Sequence, residues 1–269
     1  MKKLLCMMFA LSPMLTFAEQ YTFSIVPQQS ASRLAKQWTP IMNELSKRTG
    51  HDFVFTTAAD IPTFEQRLSE GLYDFSYMNP YHFVTFNQAP GYQAIAKARN
   101  KQIKGILVVR KDSGITDLKQ LQDETLAFPA PAAFAATILT QADLAAQNIN
   151  AIPQYVSSHD SVYLSVARGF YPAGGGVMRT FKAMDSEIRE QLTPIWVTKG
   201  YTPHAIASHP RVPLSVTKQV QEIFADLSKT DSGSKLLTPL KIIGFEAAVN
   251  DDWDDVRELH INNLMSDKK

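Results

Sequence analysis

Asp74-Phe75-Ser76-Tyr77-Met78-Asn79-Pro80-Tyr81-His82-Phe83 changes character in its middle. Residues 74–78 alternate as a short buried strand does, and Asn79-Pro80 then closes the strand and opens a helix. Asn is a good N-cap, and Pro suits the first helical position, where its missing N–H costs nothing. A helix starting there points its free backbone N–H groups into the crevice beyond the strand's carboxyl end, a place that suits anions. Tyr77 and Tyr81 flank the opening. On this stretch alone they read equally as ligand-facing rings or as half-buried packing residues.

Working outward toward the N-terminus, residues 21–26 form a strand ended by Pro27. Ser30 or Ser32 then caps a helix patterned on Leu34, Trp38, Ile41, Met42 and Leu45, which stops at Gly50. A strand over 52–57 and a helix over 61–72 follow. On the other side, 92–98 and 105–109 read as strands, the second wholly apolar and therefore central. After a short helix over 115–121 the rhythm restarts: strand 125–128, alanine-rich helix 132–148, strand 152–156, helix 158–169, and a glycine-interrupted strand 171–177. A strand at 194–198, the segment 201–207, helices at 216–227 and 233–240, and an acidic helix at 251–264 complete the chain.

Strand-helix alternation of this kind argues for mostly parallel sheets flanked by helices, and its two rounds for two lobes. The expected division is a discontinuous first lobe, 19–107 with 199–269, and a second lobe, 108–198. Two crossings make a hinge pair, which implies closure around something held between the lobes.

Composition narrows the class. The 269 residues are 45% hydrophobic and 20% charged, ordinary for a folded protein. Lys2-Lys3, an apolar run over 4–15 and Thr16-Phe17-Ala18 read as a secretory signal, residues 1–18, cleaved after Ala18. No later segment offers the roughly 18 unbroken apolar residues of a membrane span. Cleavage removes two lysines and no acid, leaving 25 basic against 26 acidic residues and a net charge of −1. No nucleic-acid partner is expected. The single cysteine, Cys6, lies inside the signal and ahead of most of its apolar run, so no lipid anchor is expected. The mature chain then has no thiol for a disulfide, a metal or nucleophilic catalysis. Histidines 51, 82, 159, 204, 209 and 260 show no metal spacing, so neither metal nor cofactor is expected.

In an open α/β sheet, ligands collect where strands hand over to helices, here at 28–32, 79–81, 130–134 and 157–161. Ser157-Ser158-His159-Asp160-Ser161 is the most polar of these. His159 either donates a ring N–H to an anion or is a solvated neighbour of a capping serine. Asp160 beside a histidine suggests a hydrolase, but no Gly-x-Ser-x-Gly elbow exists, and neighbouring residues in a helix point apart. Gly174-Gly175-Gly176 lacks the Lys-Ser/Thr pair of a phosphate loop. Three strand glycines mean instead that another backbone or a ligand comes close. Arg179 just beyond them is a charged fork suited to an oxyanion, or a surface arginine; His204 sits at the second crossing.

Gln28-Gln29-Ser30, Thr63-Phe64-Glu65-Gln66-Arg67-Leu68, Asp74 to Pro80, Gly105-Ile106-Leu107-Val108-Val109, Leu126-Ala127-Phe128 and Ser158-His159-Asp160-Ser161 occur in an informative order. Together they resemble the phosphate/phosphite/phosphonate-binding periplasmic components of ABC importers, over nearly the whole mature chain. The resemblance implies a two-lobed type II periplasmic binding protein fold, a ligand in the cleft and delivery to an inner-membrane permease. It matches Tyr77 to the cleft tyrosine and His159 to the histidine that reaches the phosphonate. Ala132-Ala133-Phe134 falls where better-known members carry a Ser-Thr-Ser type cluster, a departure that implies either that backbone N–H groups carry more of the anion or that the anion differs. Members that take aminophosphonates place acids where this chain has Arg179 and His204, so the resemblance implies a ligand with more negative charge or a different oxyanion altogether. The expected binding set is Gln29, Tyr77, Asn79, Ala132, Ala133, His159, Ser161, Arg179 and His204. The expected protein is a monomeric periplasmic carrier of a small oxyanion and not an enzyme. The alternatives are a periplasmic sensor docking on a membrane receptor or histidine kinase and, further off, an exported hydrolase.

Overall fold

The computed structural model describes residues 18–261, so residues 1–17 of the expected signal and the far end of the expected 251–264 helix lie outside the described residues. The first lobe opens with β1 (Gln20–Ile25), α1 (Ala31–Thr49), β2 (Asp52–Thr56), α2 (Ile61–Ser69), β3 (Phe75–Met78), α3 (Pro80–Gln88) and β4 (Gln93–Ala98). The chain then builds β5 (Gly105–Arg110), β6 (Thr125–Phe128), a π-helix (Phe134–Leu139) continued by α4 (Thr140–Ala146), β7 (Ile152–Tyr155) and α5 (His159–Ala167). β8 (Ala173–Val177), α6 (Met178–Ala183), α7 (Ser186–Arg189) and β9 (Leu192–Val197) finish this part. β10 (Ala205–Ser208), α8 (Leu214–Asp226), α9 (Asp231–Leu237), β11 (Phe245–Ala247) and α10 (Asp254–Arg257) follow.

Two sheets result, ordered β11-β4-β10-β3-β1-β2 and β7-β6-β8-β5-β9. The first draws strands from both ends of the chain. The expectation of mostly parallel sheets applies to the βαβ halves: β3-β1-β2 and β7-β6-β8 are parallel, while every pair involving β10, β4 or β5 is antiparallel. Both sheets are therefore mixed. The reason is the crossings: β4 reaches β5 through residues 99–104 and β9 returns to β10 through residues 198–204. These segments meet in an antiparallel bridge, Ile103 N–H to Tyr201 O at 2.8 Å and Tyr201 N–H to Ile103 O at 3.0 Å. All of β5 belongs to the second sheet, so the first crossing precedes Gly105 rather than falling at 107/108.

Local chemistry accounts for the elements that matter. Ser30 caps α1, whose end is Gly50 at φ 77°, a left-handed conformation that glycine tolerates. β5 buries Ile106 and Val108 in one cluster and Leu107 and Val109 in another, so its apolar run reflects burial on both faces. The helix expected over 132–148 begins instead as a π-helix at Phe134 with no side-chain cap. Its backbone lies hard against the second sheet: an added Cβ on Gly105 would strike the Ala135 carbonyl oxygen, and one on Gly175 the Ala136 carbonyl oxygen. The glycines of β8 thus admit a helix backbone, and at Gly176 the Tyr163 ring. Ala133, Phe134 and Ala136 join the buried cluster of the first lobe, so this helix start is packed between the lobes. Among the described residues no helix is long and apolar enough to cross a membrane.

Candidate functional site

Three helix starts converge where the lobes meet. Asn79 is buried at the end of β3; its Oδ1 accepts the His82 N–H at 2.7 Å, capping α3, and its Nδ2 donates to Ala132 O at 3.2 Å in the other lobe. Ser158 caps α5 by accepting the Ser161 N–H at 3.1 Å, which sets His159 in the first turn. The His159 backbone N–H then donates to Gln28 O at 3.0 Å, again across the lobes. At the π-helix start, the N–H groups of Phe134, Ala135 and Ala136 have no preceding turn to bond, as at any helix N-terminus. Between them is a cavity of about 10 Å³, walled by Gln28, Asn79, Ile103, Ala133 to Ala136, His159 and Val177. That is roughly the room one water needs, so admitting a tetrahedral oxyanion requires the lobes to part.

The electrostatics of this inner cavity are those of dipoles. His159 is 1% exposed; desolvation, with the nearby Arg179 charge second, holds its ring down to about 3, so it is neutral near pH 7. A buried chain orients it. Val177 N–H donates to the Tyr163 hydroxyl at 3.1 Å, that hydroxyl lies 2.8 Å from Thr180 Oγ1, and Thr180 Oγ1 lies 3.2 Å from His159 Nδ1. Val177 O is a second acceptor for both hydroxyls, 3.1 Å from Tyr163 and 3.0 Å from Thr180; when the protons run instead from Tyr163 through Thr180 to Nδ1, the neutral ring keeps its own proton on Nε2, as a donor.

A second, larger cavity of about 760 Å³ lies on the hinge side and shares Ile103 and Val177 with the first. Tyr77, Arg179 and His204 meet on its wall. Tyr77 stacks on His204 at 4.9 Å between ring centroids, and the Arg179 guanidinium sits 5.9 Å from the Tyr77 ring centre. Arg179 also donates to Gln28 Oε1 at 2.6 Å, tying the two cavities together. Burial and then the Arg179 charge keep His204 neutral, well below the usual histidine range.

The expected binding set therefore divides. Asn79, Ala133 and His159 wall the inner cavity, and Tyr77, Arg179 and His204 the outer one. Gln29, Ala132 and Ser161 line neither. Gln29 is buried with both amide atoms unpaired, and its neighbour Gln28 forms the wall instead. The Ala132 carbonyl is taken by Asn79, and Ser161 is committed to the Ser158 cap, its hydroxyl 2.9 Å from Ser158 Oγ. For the first two, the adjacent residues Gln28 and Ala133 line the inner cavity instead.

Sequence reading missed Arg33, which spans the lobes from α1. Its Nη1 donates to Ala183 O at 2.5 Å, its Nη2 to Asp185 Oδ1 at 3.0 Å, and its Nε lies 3.8 Å from Asp160 Oδ2. Asp160 in turn accepts the Ser30 N–H at 3.2 Å, so it fastens the cleft instead of pairing with His159, and burial raises its carboxyl above the usual range. Tyr163 and Thr180 were also missed; side chains reading only as helix packing gave no signal of their role. Among the described residues there is no cluster of three or more metal-ligating side chains.

Comparison with known proteins matches residues 23–253 to the family described as "ABC transporter, phosphonate, periplasmic substrate-binding protein". The phosphate-import protein PhnD of Mycolicibacterium smegmatis is 21% identical over 294 residues, covering 94% of this chain and 88% of that protein. A binding protein component of an ABC phosphonate transporter from Pseudomonas aeruginosa superposes with a TM-score of 0.83 at 17% identity, over 91% of this chain and 86% of the other. PhnD1 from Prochlorococcus marinus, solved in complex with methylphosphonate, gives 0.81 at 17% identity, over 92% and 98%.

Proposed function

The chain belongs to the family of periplasmic substrate-binding proteins of phosphonate ABC transporters, and from that premise we propose that it closes on one small phosphoryl oxyanion and hands it to an inner-membrane permease. The observation that carries this reading is the meeting of the α3, α5 and π-helix starts at one interlobe cavity. Amides of Phe134 to Ala136 and the His159 Nε2–H supply donors to the oxygens, and helix dipoles favour the charge. No hydroxyl stands at positions 132 to 136, so backbone donors carry what side chains would otherwise share. Tyr77 closes the hinge side, with Arg179 behind Gln28 adding long-range attraction. Gln29, Ala132 and Ser161 take supporting positions beside the wall rather than touching the ligand.

In this reading the protein is an exported monomer that catalyses nothing, delivered by the signal at residues 1–18. Micromolar binding needs only about −8 kcal/mol, within reach of a few charge-assisted hydrogen bonds in a closing cleft. The methylphosphonate complex of the Prochlorococcus marinus relative supports a phosphonate as the first ligand to try. The test is calorimetry and thermal shift against methylphosphonate, phosphite, phosphate, sulfate and acetate. A ligand at 100 times its Kd should add about 2.7 kcal/mol of stability. Binding of a phosphoryl anion that is lost in His159→Ala supports the reading; a protein that ignores every phosphoryl anion refutes it.

A further inference from the structure

The outer cavity carries more charge than a methylphosphonate can use. Lys101, Lys104, Arg179, Lys182 and Lys241 all line it, and no Asp or Glu does. They come from three places: the first crossing, α6 of the second lobe, and the segment after α9 of the first. Among the described residues none of the five takes part in an ion pair. Lys101 is tied in place, its Nζ donating to Lys241 O at 2.6 Å. Its ammonium is pushed below the usual lysine range, first by burial and then by the charges of Arg179 and Lys182, so these groups sense one another. His204 adds an independent sign. It is 3% exposed, lines the same cavity, and its Nε2 has no hydrogen-bond partner. A buried polar atom left open in this way calls for a partner.

We propose that the natural ligand is a phosphonate or phosphate whose substituent carries a further negative charge, held by this basic chamber while the phosphoryl group occupies the inner cavity. The inference rests on the oxyanion-carrier reading and refines it. A chamber of about 760 Å³ has space for such a substituent, which would pass the shared Ile103–Val177 wall from one cavity to the other. Arg179 stands at that junction through its bond to Gln28, and His204 faces the chamber from the Tyr77 side. Unpaired cations converging on one concavity repel one another until an anion enters, and the low-dielectric walls focus their field. A substituent ending in an ammonium meets the same field with the opposite sign.

Isothermal titration of the full mature protein at fixed pH compares methylphosphonate, phosphonoacetate, 3-phosphonopropionate, methylenebisphosphonate and 2-aminoethylphosphonate. The anionic substituents are expected to bind about tenfold or more tighter than methylphosphonate at low salt, and the aminoethyl compound weaker. The carboxylates and the bisphosphonate separate a carboxyl-bearing from a phosphoryl-bearing ligand. In Lys101→Gln/Lys241→Gln the preference ratio for the anionic substituent should fall toward one, and raising the salt should erode it in the wild type. Equal affinity for charged and uncharged substituents, or a ratio kept intact in the double variant, overturns the inference while leaving a phosphonate carrier standing. Failure of every phosphonate to bind overturns this inference, and the carrier reading falls with it only when phosphite and phosphate also fail to bind.

Discussion

Arg33→Ala tests closure without touching the ligand, because Arg33 lines neither cavity. Its guanidinium holds α1 of the first lobe to Ala183, Asp185 and Asp160 of the second. The side chain is 23% exposed, Asp160 19% and Asp185 75%. The Asp185 contact is a surface pair, good for at most about 1 kcal/mol. The charged bond to the Ala183 carbonyl is partly buried and contributes about 1–2 kcal/mol after allowance for its exposure. Loss of the side chain should therefore disfavour the closed form by about 1–3 kcal/mol, a shift of roughly 5- to 150-fold. A ligand that enters the open cleft and is held tightly only once the lobes close then loses affinity as closure becomes less favourable. The loss should appear as faster dissociation, since the diffusional encounter with an open cleft is unchanged. Stopped-flow binding of the best phosphoryl ligand, with small-angle scattering of free and bound protein, reads both quantities. An Arg33→Ala protein with wild-type dissociation rate and a wild-type scattering change on binding would refute the latch.

Gly175→Ala should destabilise the fold by about 1–3 kcal/mol or more through overpacking, because its Cβ would meet the Ala136 carbonyl and the Phe128 ring; a urea midpoint equal to wild type would contradict that close approach. Thr180→Val removes the hydroxyl beside His159 Nδ1 and should weaken ligand binding several-fold while Thr180→Ser restores it; the imidazole nitrogen shifts of His159, read by NMR, should show the Nε2–H tautomer giving way in the valine variant and not in the serine one. The folded-state pKa of His159 is depressed to about 3 from 6.5, so the unfolded chain binds the proton first. Stability contributed by keeping this ring neutral is complete above pH 6.5 and is lost as pH falls from there toward 3. Denaturation at pH 7 and pH 4 should show a smaller loss in His159→Gln than in the wild type.

How much of this was legible depends on whether a residue's role is local. Asn79-Pro80, Ser158 and Ser30 announce helix starts through capping chemistry that acts within four residues, and the structure uses them so. The apolar run at 105–109 gave a central strand for the same reason, since burial on both faces leaves no polar alternate. The partner direction of that strand was not readable, because antiparallel pairing with β8 and β9 follows from where the chain crosses, a long-range property. The π-helix was hidden too: alanines at 132, 133, 135 and 136 suit an α-helix, and only the opposing Gly105 and Gly175 reveal a backbone seated on the sheet. Gln28 and Gln29 show the limit of one-residue precision at a turn. The latch at Arg33 and the chamber lysines lie far apart in sequence and carry no motif, so nothing short of the fold brings them together.

In the proposed reading the two cavities divide the work of binding, and the division has a measurable consequence. The inner wall holds a neutral histidine and backbone dipoles, while the formal charges stand in the outer chamber. Bringing an oxyanion against His159 reverses the balance that keeps its ring neutral. A unit charge about 4 Å away at an effective dielectric near 20 is worth about 4 kcal/mol, or roughly three pKa units. Starting from about 3, the ring in the complex should titrate near 6, so binding should take up about half a proton at pH 6 and almost none at pH 8. Calorimetry in buffers of differing ionisation enthalpy reads that uptake, and His159→Gln subtracts the proton that the phosphoryl group itself takes or releases. A wild-type uptake equal to that of the variant across this range would mean that the anion does not sit against His159, and the inner cavity would lose its place as the phosphoryl site.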